Sequence, residues 1–203
     1  MNKVKTMNIA LIGYGFVGKT FHAPLIQSVE GLKLAVVSSR DEEKVKRDLP
    51  DVLVVATPEE AIQHPDIDLV VIASPNATHA PLATLALNAG KHVVVDKPFT
   101  LDMQEARDLI ALAQEKQRLL SVFHNRRWDS DFLGIKQVIE QGRIGKVKHF
   151  ESHIDRFRPE VRVRWREQNV PGSGLWFDLG PHMIDQTLQL FGLPQSVQDR
   201  KSV

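Results

Sequence analysis

Along the first 123 residues, short apolar runs alternate with stretches of helical periodicity. Residues 8–12, 32–38, 52–55, 68–73, 92–95 and 119–123 are rich in Val, Ile and Leu and too short for helices, so they predict strands. The β-branched run Val93-Val94-Val95 predicts a strand covered on both faces. Pro98 has no N–H to give a ladder, which predicts the strand's end and places Lys97 at its carboxyl terminus. Between the strands, residues 78–88 are closed by Ala89-Gly90, and residues 102–116 repeat Met103, Ala106, Leu109, Ile110 and Ala113 at helical spacing. Strands alternating with helices predict an α/β fold built on a doubly wound parallel sheet.

Beyond Phe123 the pattern changes. Residues 129–140 predict a helix broken by Gly142 and Gly145, and residues 147–154 alternate like a half-exposed strand. Residues 155–174 carry no period, and 176–191 predict a last helix ending at Gly192-Leu193-Pro194. The expected organisation is a nucleotide-binding domain over 1–123 and a partial, incomplete α+β domain over 124–203, without internal repeats.

Composition narrows the function classes. The 26 basic and 25 acidic residues leave a formal charge of +1, which gives no reason to expect nucleic acid or an anionic membrane as partner. The chain has no cysteine, so disulfides and thiolate chemistry are excluded. No run approaches the ~18 apolar residues of a membrane span, and the apolar run before Gly13 is too short for a signal-peptide core. A soluble, cytoplasmic protein is the expectation. Arg156, Arg158, Arg162, Arg164 and Arg166, with Phe157 and Trp165 among them, suggest nucleic acid in isolation, but Asp155, Glu160 and Glu167 interleave.

The candidate chemistry lies where strands end. Gly13, Gly15 and Gly18, with Phe16 and Val17 among them, follow the first strand and precede a helix. That spacing suits a tight turn, close approach of a pyrophosphate to the main chain, and close helix-on-strand packing, so it predicts a dinucleotide-binding Rossmann domain. At the end of the second strand an NAD site usually offers a carboxylate to the ribose 2′-hydroxyl. Here stand Ser38, Ser39 and Arg40, and hydroxyls beside a guanidinium suit a 2′-phosphate, which favours NADP over NAD. The alternative is that Arg40 is a solvated charge.

Ser74, Pro75, Asn76 and His79 follow the fourth strand, Asp96 and Lys97 the fifth, and Asn125 and Arg126 the sixth. Ligands of open α/β sheets bind outside the strands' carboxyl ends, so Asn76, His79, Lys97 and Asn125 are expected to face one crevice. Taken singly, Asn76 reads equally as a cap and His79 as a packed, satisfied ring. Asp178 and His182 are four apart and share one helical face, with Pro181 predicting a first turn. They could orient one another or touch one ligand; a capping Asp and a surface His remain the plain alternative. Two such groups without a third at useful spacing make no case for a metal.

Together the glycine turn, "SPNATH", "DKP", "HNRRWD" and the Asp178/His182 pair resemble the Gfo/Idh/MocA family of glucose-fructose oxidoreductase and inositol dehydrogenase relatives. "FHAPLI", "SVFHNRRWDSDFL" and "DRFRPEVRVRWRE" look most like its NADP-dependent scyllo-inositol dehydrogenase branch. The family's usual Glu-Lys-Pro is Asp96-Lys97-Pro98 here. The resemblance implies an NAD(P)-dependent dehydrogenase acting on a polyol, inositol or sugar. In it Lys97 holds the reacting oxygen, His182 moves the proton, Asp178 binds or orients, and Arg126 and Trp165 lie on the substrate side. Members of the family run well past residue 203, so it also implies a C-terminally shortened chain, and it leaves a homo-oligomer open. An NADP-binding regulatory or pseudoenzyme protein without turnover is one alternative, and a pure interaction protein is another.

Overall fold

The computed structural model describes residues 6–155, 157, 159–160 and 167–199. Six strands form one sheet: β1 (Met7–Ile12), β2 (Leu32–Ser38), β3 (Leu53–Val55), β4 (Leu69–Ile72), β5 (His92–Asp96) and β6 (Leu120–Phe123). Every pairing is parallel and the order is β3-β2-β1-β4-β5-β6. β1 therefore stands between β2 and β4, and the chain winds outward from it in both directions. A crevice forms at such a reversal, outside the carboxyl ends of the strands.

Period-two alternation divides the sheet's side chains between two cores. Ala10 and Ile12 join Val36, Val70, Ile72, Val93 and Val95 on one face. That face is covered by α3 (Pro58–Gln63), α4 (His79–Asn88) and α5 (Met103–Glu115), through residues such as Ile62, Leu87 and Leu109. Ile9 and Leu11 join Val37 and Val71 on the other, against Ala23 and Ile26 of α1 (Ala23–Ser28) and Val45 of α2 (Glu42–Asp48). Burial on both faces is why the strands read as unbroken apolar runs. Short polar caps start the helices: Asp41 accepts from the Lys44 amide, Thr57 from Glu60, and Asp102 from Gln104 and Glu105.

The chain forms two compact units, 1–123 and 124–203. In the second, a 3-10 turn, Asn125–Trp128, leads into α6 (Ser130–Glu140), and the last helix is α7 (Gly174–Phe191). Two expectations are corrected here. Residues 147–154 form no strand, because a strand exists only through a ladder and none of the described residues pairs with them. Phe150 instead packs edge-on against Phe191, with ring centres 5.3 Å apart. Pro181 is not in a first turn. α7 starts at Gly174, so the proline lies in the helix interior, where the preceding Gly180 presents no side chain and leaves its Cβ position to the Trp176 indole.

α7 buries Gly180, His182 and Asp185 and leaves Leu175, Trp176, Ile184 and Phe191 exposed. An apolar groove of about 810 Å3 runs along that side, with Leu179, Met183 and Leu188 in its floor. Among the described residues no helix is long and apolar enough to cross a membrane.

Candidate functional site

Gly13 turns the chain at the end of β1 with φ +95°, and its amide donates to the Ser38 carbonyl at 3.1 Å. A Cβ there would lie 2.7 Å from the Ala73 carbonyl oxygen, and one on Gly18 would strike the Gly13 carbonyl. Both positions therefore need glycine for packing. At Gly15 a Cβ would meet nothing within 4 Å, so its main chain faces open space. Phe16 is exposed, and Val17 leads into a π-helical turn, Gly18–His22, that continues into α1. π-turns inside helices recur at functional sites because they shift the helix register locally.

A cleft of about 400 Å3 opens beside this turn, lined by Gly13, Gly15, Ser38, Ser39, Arg40 and Ser74 among others. Asp41 is the carboxylate on its wall, and its Oδ1 accepts the Lys44 amide at 3.0 Å while its own amide donates to Ser39 Oγ at 3.1 Å. The carboxylate is thus held by the first turn of α2. Lys44, which the sequence reading passed over, lines the same cleft.

Two further groups fasten α2 to the glycine turn. Asp48 accepts from Lys19 Nζ at 2.6 Å and from the Tyr14 hydroxyl at 3.3 Å. Burial, then the charge of Asp48 and its hydrogen bond, push the Tyr14 hydroxyl up to about 12, so it stays a donor. The Lys19 hydrogen bond holds Asp48 below the usual carboxylate range.

Ser74 and Pro75 stand half-buried and exposed after β4, and Asn76 is buried at the start of a 3-10 turn, Asn76–Thr78. Ser74 Oγ is 2.6 Å from the Thr78 hydroxyl. His79 does not face the cleft as expected. It is 1% exposed, and its ring reaches the Pro98 carbonyl at 2.8 Å through Nδ1 and the Ser74 carbonyl at 3.0 Å through Nε2. The ring ties together the loops after β4 and β5. Lys97 is half-buried directly after β5, joined to Pro98 by a cis peptide bond. Buried Asp96 has its Oδ1 4.0 Å from Nε2 of buried His22, whose ring lies against Phe123, tilted by 45° with centres 4.2 Å apart.

In the second unit, Asp178 and His182 lie one turn apart on α7, half-buried and buried respectively. Asn125 and Arg126 are half-buried in the 3-10 turn, where Arg126 pairs with Asp129 at 3.0 Å. Arg127 clamps Asp185 of α7 through two hydrogen bonds, at 2.7 and 2.6 Å. Trp165, with Arg156, Arg158, Arg162, Arg164 and Arg166, lies outside the described residues.

Residues 7–124 match the model of an oxidoreductase family's NAD-binding Rossmann fold, GFO_IDH_MocA, and residues 136–202 match its C-terminal alpha/beta domain. The chain belongs to this Gfo/Idh/MocA family. It is 60% identical to the oxidoreductase YdgJ of Escherichia coli over 94% of this chain and 55% of YdgJ. Against the scyllo-inositol 2-dehydrogenase (NADP(+)) IolW of Bacillus subtilis it is 43% identical over 96% of this chain and 54% of IolW. A crystal structure from Klebsiella pneumoniae is 86% identical and superposes with a TM-score of 0.88, covering 95% of this chain and 54% of that one. The chain thus spans about half the length of the relatives it matches. In this family member the glycine turn and the residue types at the strand ends were open to sequence reading; the α2 anchor, Lys44 and the Arg127–Asp185 clamp were not. The α2 anchor and the clamp join residues far apart in sequence, and spacing carries no trace of that, while Lys44 stands in a run of helix charges that gives no sign of which of them borders the cleft.

Proposed function

We propose that the chain carries the cofactor half of an NADP-dependent dehydrogenase acting on a ring hydroxyl or ketone of a polyol, inositol or sugar. The observation that carries this reading is the cleft beside β1 and β2. Its main chain is open at Gly15, and Ser38, Ser39 and Arg40 stand where an NAD site places a free acid. The acid nearby, Asp41, is engaged as a helix cap. Open main chain accepts a pyrophosphate, and a guanidinium beside hydroxyls accepts a 2′-phosphate that a free carboxylate would repel. The similarity to IolW, named for scyllo-inositol 2-dehydrogenase activity with NADP(+), supports the same reading.

When bound, the nicotinamide supplies the hydride chemistry. Lys97, at the end of β5, serves the substrate oxygen, because an ammonium stabilises an alkoxide as it develops. His182 takes the hydroxyl proton as general base, and Asp178 holds a neighbouring hydroxyl or orients the ring. Ser74, Pro75, Asn76, Asp96 and Asn125 complete the assignment on the cofactor side, as the resemblance implies. Lys97 and Arg126 serve the substrate.

The test is a fluorescence titration of the 203-residue chain with NADPH and NADH, followed by turnover of scyllo-inositol and related polyols with Lys97→Ala as control. NADPH preference with turnover that falls at least about a hundredfold in Lys97→Ala supports the reading. Preferential NADPH binding without turnover of any polyol supports a nucleotide-binding protein instead, and binding of neither nucleotide refutes both.

A further inference from the structure

We infer that His22 couples the glycine turn to the end of β5, and that its Nε2 closes onto Asp96 when a dinucleotide lies across the two. The inference rests on the cofactor reading above. It makes His22 a positioning residue, set beneath the site and acting through Asp96.

The ring joins three parts of the first unit. His22 ends the π-helical turn that starts at Gly18, and that turn is bonded to the glycine turn. The Lys19 amide donates to the Gly15 carbonyl at 3.0 Å, and the Ala23 amide donates to the Gly18 carbonyl. From this segment after β1 the side chain passes β4 and reaches the next two strands. Its ring centre is 4.2 Å from that of Phe123, and its Nε2 is 4.0 Å from Asp96 Oδ1. Asp96 and Phe123 are ladder partners at the ends of β5 and β6, so one imidazole meets both strand ends. Lys97 follows Asp96 directly.

One atom of this arrangement is unsatisfied. His22 is 4% exposed, and its Nε2 has no hydrogen-bond partner among the described residues. Buried polar groups are nearly always bonded, because an unmade bond forfeits the one the group had with water. The carboxylate oxygen it faces is only about 1 Å beyond the distance of a made bond. Burial also pulls the ring down from 6.5 to about 4, so at neutral pH it is a neutral donor and not an imidazolium. A π-turn closes its bonds over one residue more than an α-turn, which gives its last residue room to shift without unwinding α1.

A dinucleotide running from the glycine turn to the strand ends would touch both segments that the ring joins. Fastening the turn sets donor and acceptor in one frame, and the bond from Nε2 to a carboxylate is of the charge-assisted kind. Once closed, it holds Asp96 and the main chain from which Lys97 departs. By linkage, a ligand that closes the bond gains affinity from it.

The experiment is nuclear magnetic resonance of the 203-residue chain with nitrogen-15 in its histidines, titrated with NADPH and, as control, with 2′,5′-ADP, which lacks the nicotinamide half. The His22 ring is identified by its Overhauser contact with the Phe123 ring. Saturation with NADPH should move its Nε2 proton downfield and slow the exchange of that proton with water, and 2′,5′-ADP should leave it in place. In parallel, His22→Phe, which keeps a ring against Phe123 without the donor, and Asp96→Leu, which removes the acceptor, should each lose about tenfold in NADPH affinity. The double variant should lose less than the product of the two, and His22→Gln, whose amide can donate, should recover most of the loss. A circular dichroism melt of each variant confirms folding, and the wild-type spectrum decides the closure where a variant does not fold. A ring signal that NADPH leaves in place, one that 2′,5′-ADP moves as far, or losses that multiply in the double variant overturn the coupling and leave the cofactor reading intact. A chain that binds neither NADPH nor NADH overturns the cofactor reading, and the coupling with it.

Discussion

Arg127 and Asp185 meet side-on, Nε to Oδ2 at 2.7 Å and Nη2 to Oδ1 at 2.6 Å, and so join the turn after β6 to the middle of α7. Asp185 is buried and its partner half-exposed, so the pair has one end in water. The Asp185 hydrogen bond raises the guanidinium above its ordinary value, which keeps it charged at any working pH. Arg127→Ala would leave a buried carboxylate without its counter-charge, at a cost of about 3 kcal/mol in the second unit. Arg127→Lys should recover only part, since an ammonium cannot reproduce the fork. Hydrogen exchange along α7 checks this, with faster exchange expected in Arg127→Ala.

The glycines of the turn should separate in their effects. Gly15→Ala meets no neighbour, so stability should change by less than about 0.5 kcal/mol while nucleotide affinity falls about tenfold. Gly18→Ala drives a methyl into the Gly13 carbonyl, which is main chain and cannot rotate away, so it should lose more than about 2 kcal/mol. Chemical denaturation beside NADPH titration distinguishes the two.

Acid should weaken the fold through His22. Burial lowers this ring from 6.5 to about 4, and Asp96 at 4.0 Å is too far to offset that by a hydrogen bond. Between those values the unfolded chain binds a proton that the folded chain refuses, so stability rises with pH across the window and falls on acidification. Going from about pH 7 to about pH 5 should cost roughly 2 kcal/mol from this residue. In His22→Gln the difference between denaturation curves at the two pH values should shrink by that amount.

His79 lies between the Ser74 and Pro98 carbonyls and its one ring N–H donates to one of them, so His79→Ala strands that acceptor and opens a void in the loops after β4 and β5. A loss of about 3 kcal/mol is expected, partly recovered in His79→Gln, which restores one donor. Thermal melts of the three chains decide it; an unchanged midpoint in His79→Ala would remove the tie from the account of the fold.

What the sequence revealed depends on the range of each interaction. Val93 to Val95 and the alternation in β1 announce a sheet buried on both faces because burial acts on every residue of a strand. The glycine turn was legible for a similar reason, as sterics at Gly13 and Gly18 admit one residue type. Residues 147–154 misled because alternation states only which side chains prefer burial; a strand also needs a neighbour. Pro181 misled because a proline suits a first turn, while the true start at Ser173-Gly174 carries no capping side-chain bond. His79 and Lys44 could be placed only by coordinates, since a ring between two carbonyls and an ammonium beside a cleft look in sequence like any His and any Lys.

The inward-polar, outward-apolar arrangement of α7 bears on how this chain behaves in the cold room. Leu175, Trp176, Leu193 and Val197 are each more than two-thirds exposed. Every square ångström of such surface raises the free energy of the hydrated molecule by roughly 25 cal/mol, and excluded salts such as sulfate enlarge that penalty. With a net charge of only +1 to oppose association, the chain should salt out early, and the ammonium sulfate concentration at which it leaves solution should climb when Trp176 and Leu193 are made polar.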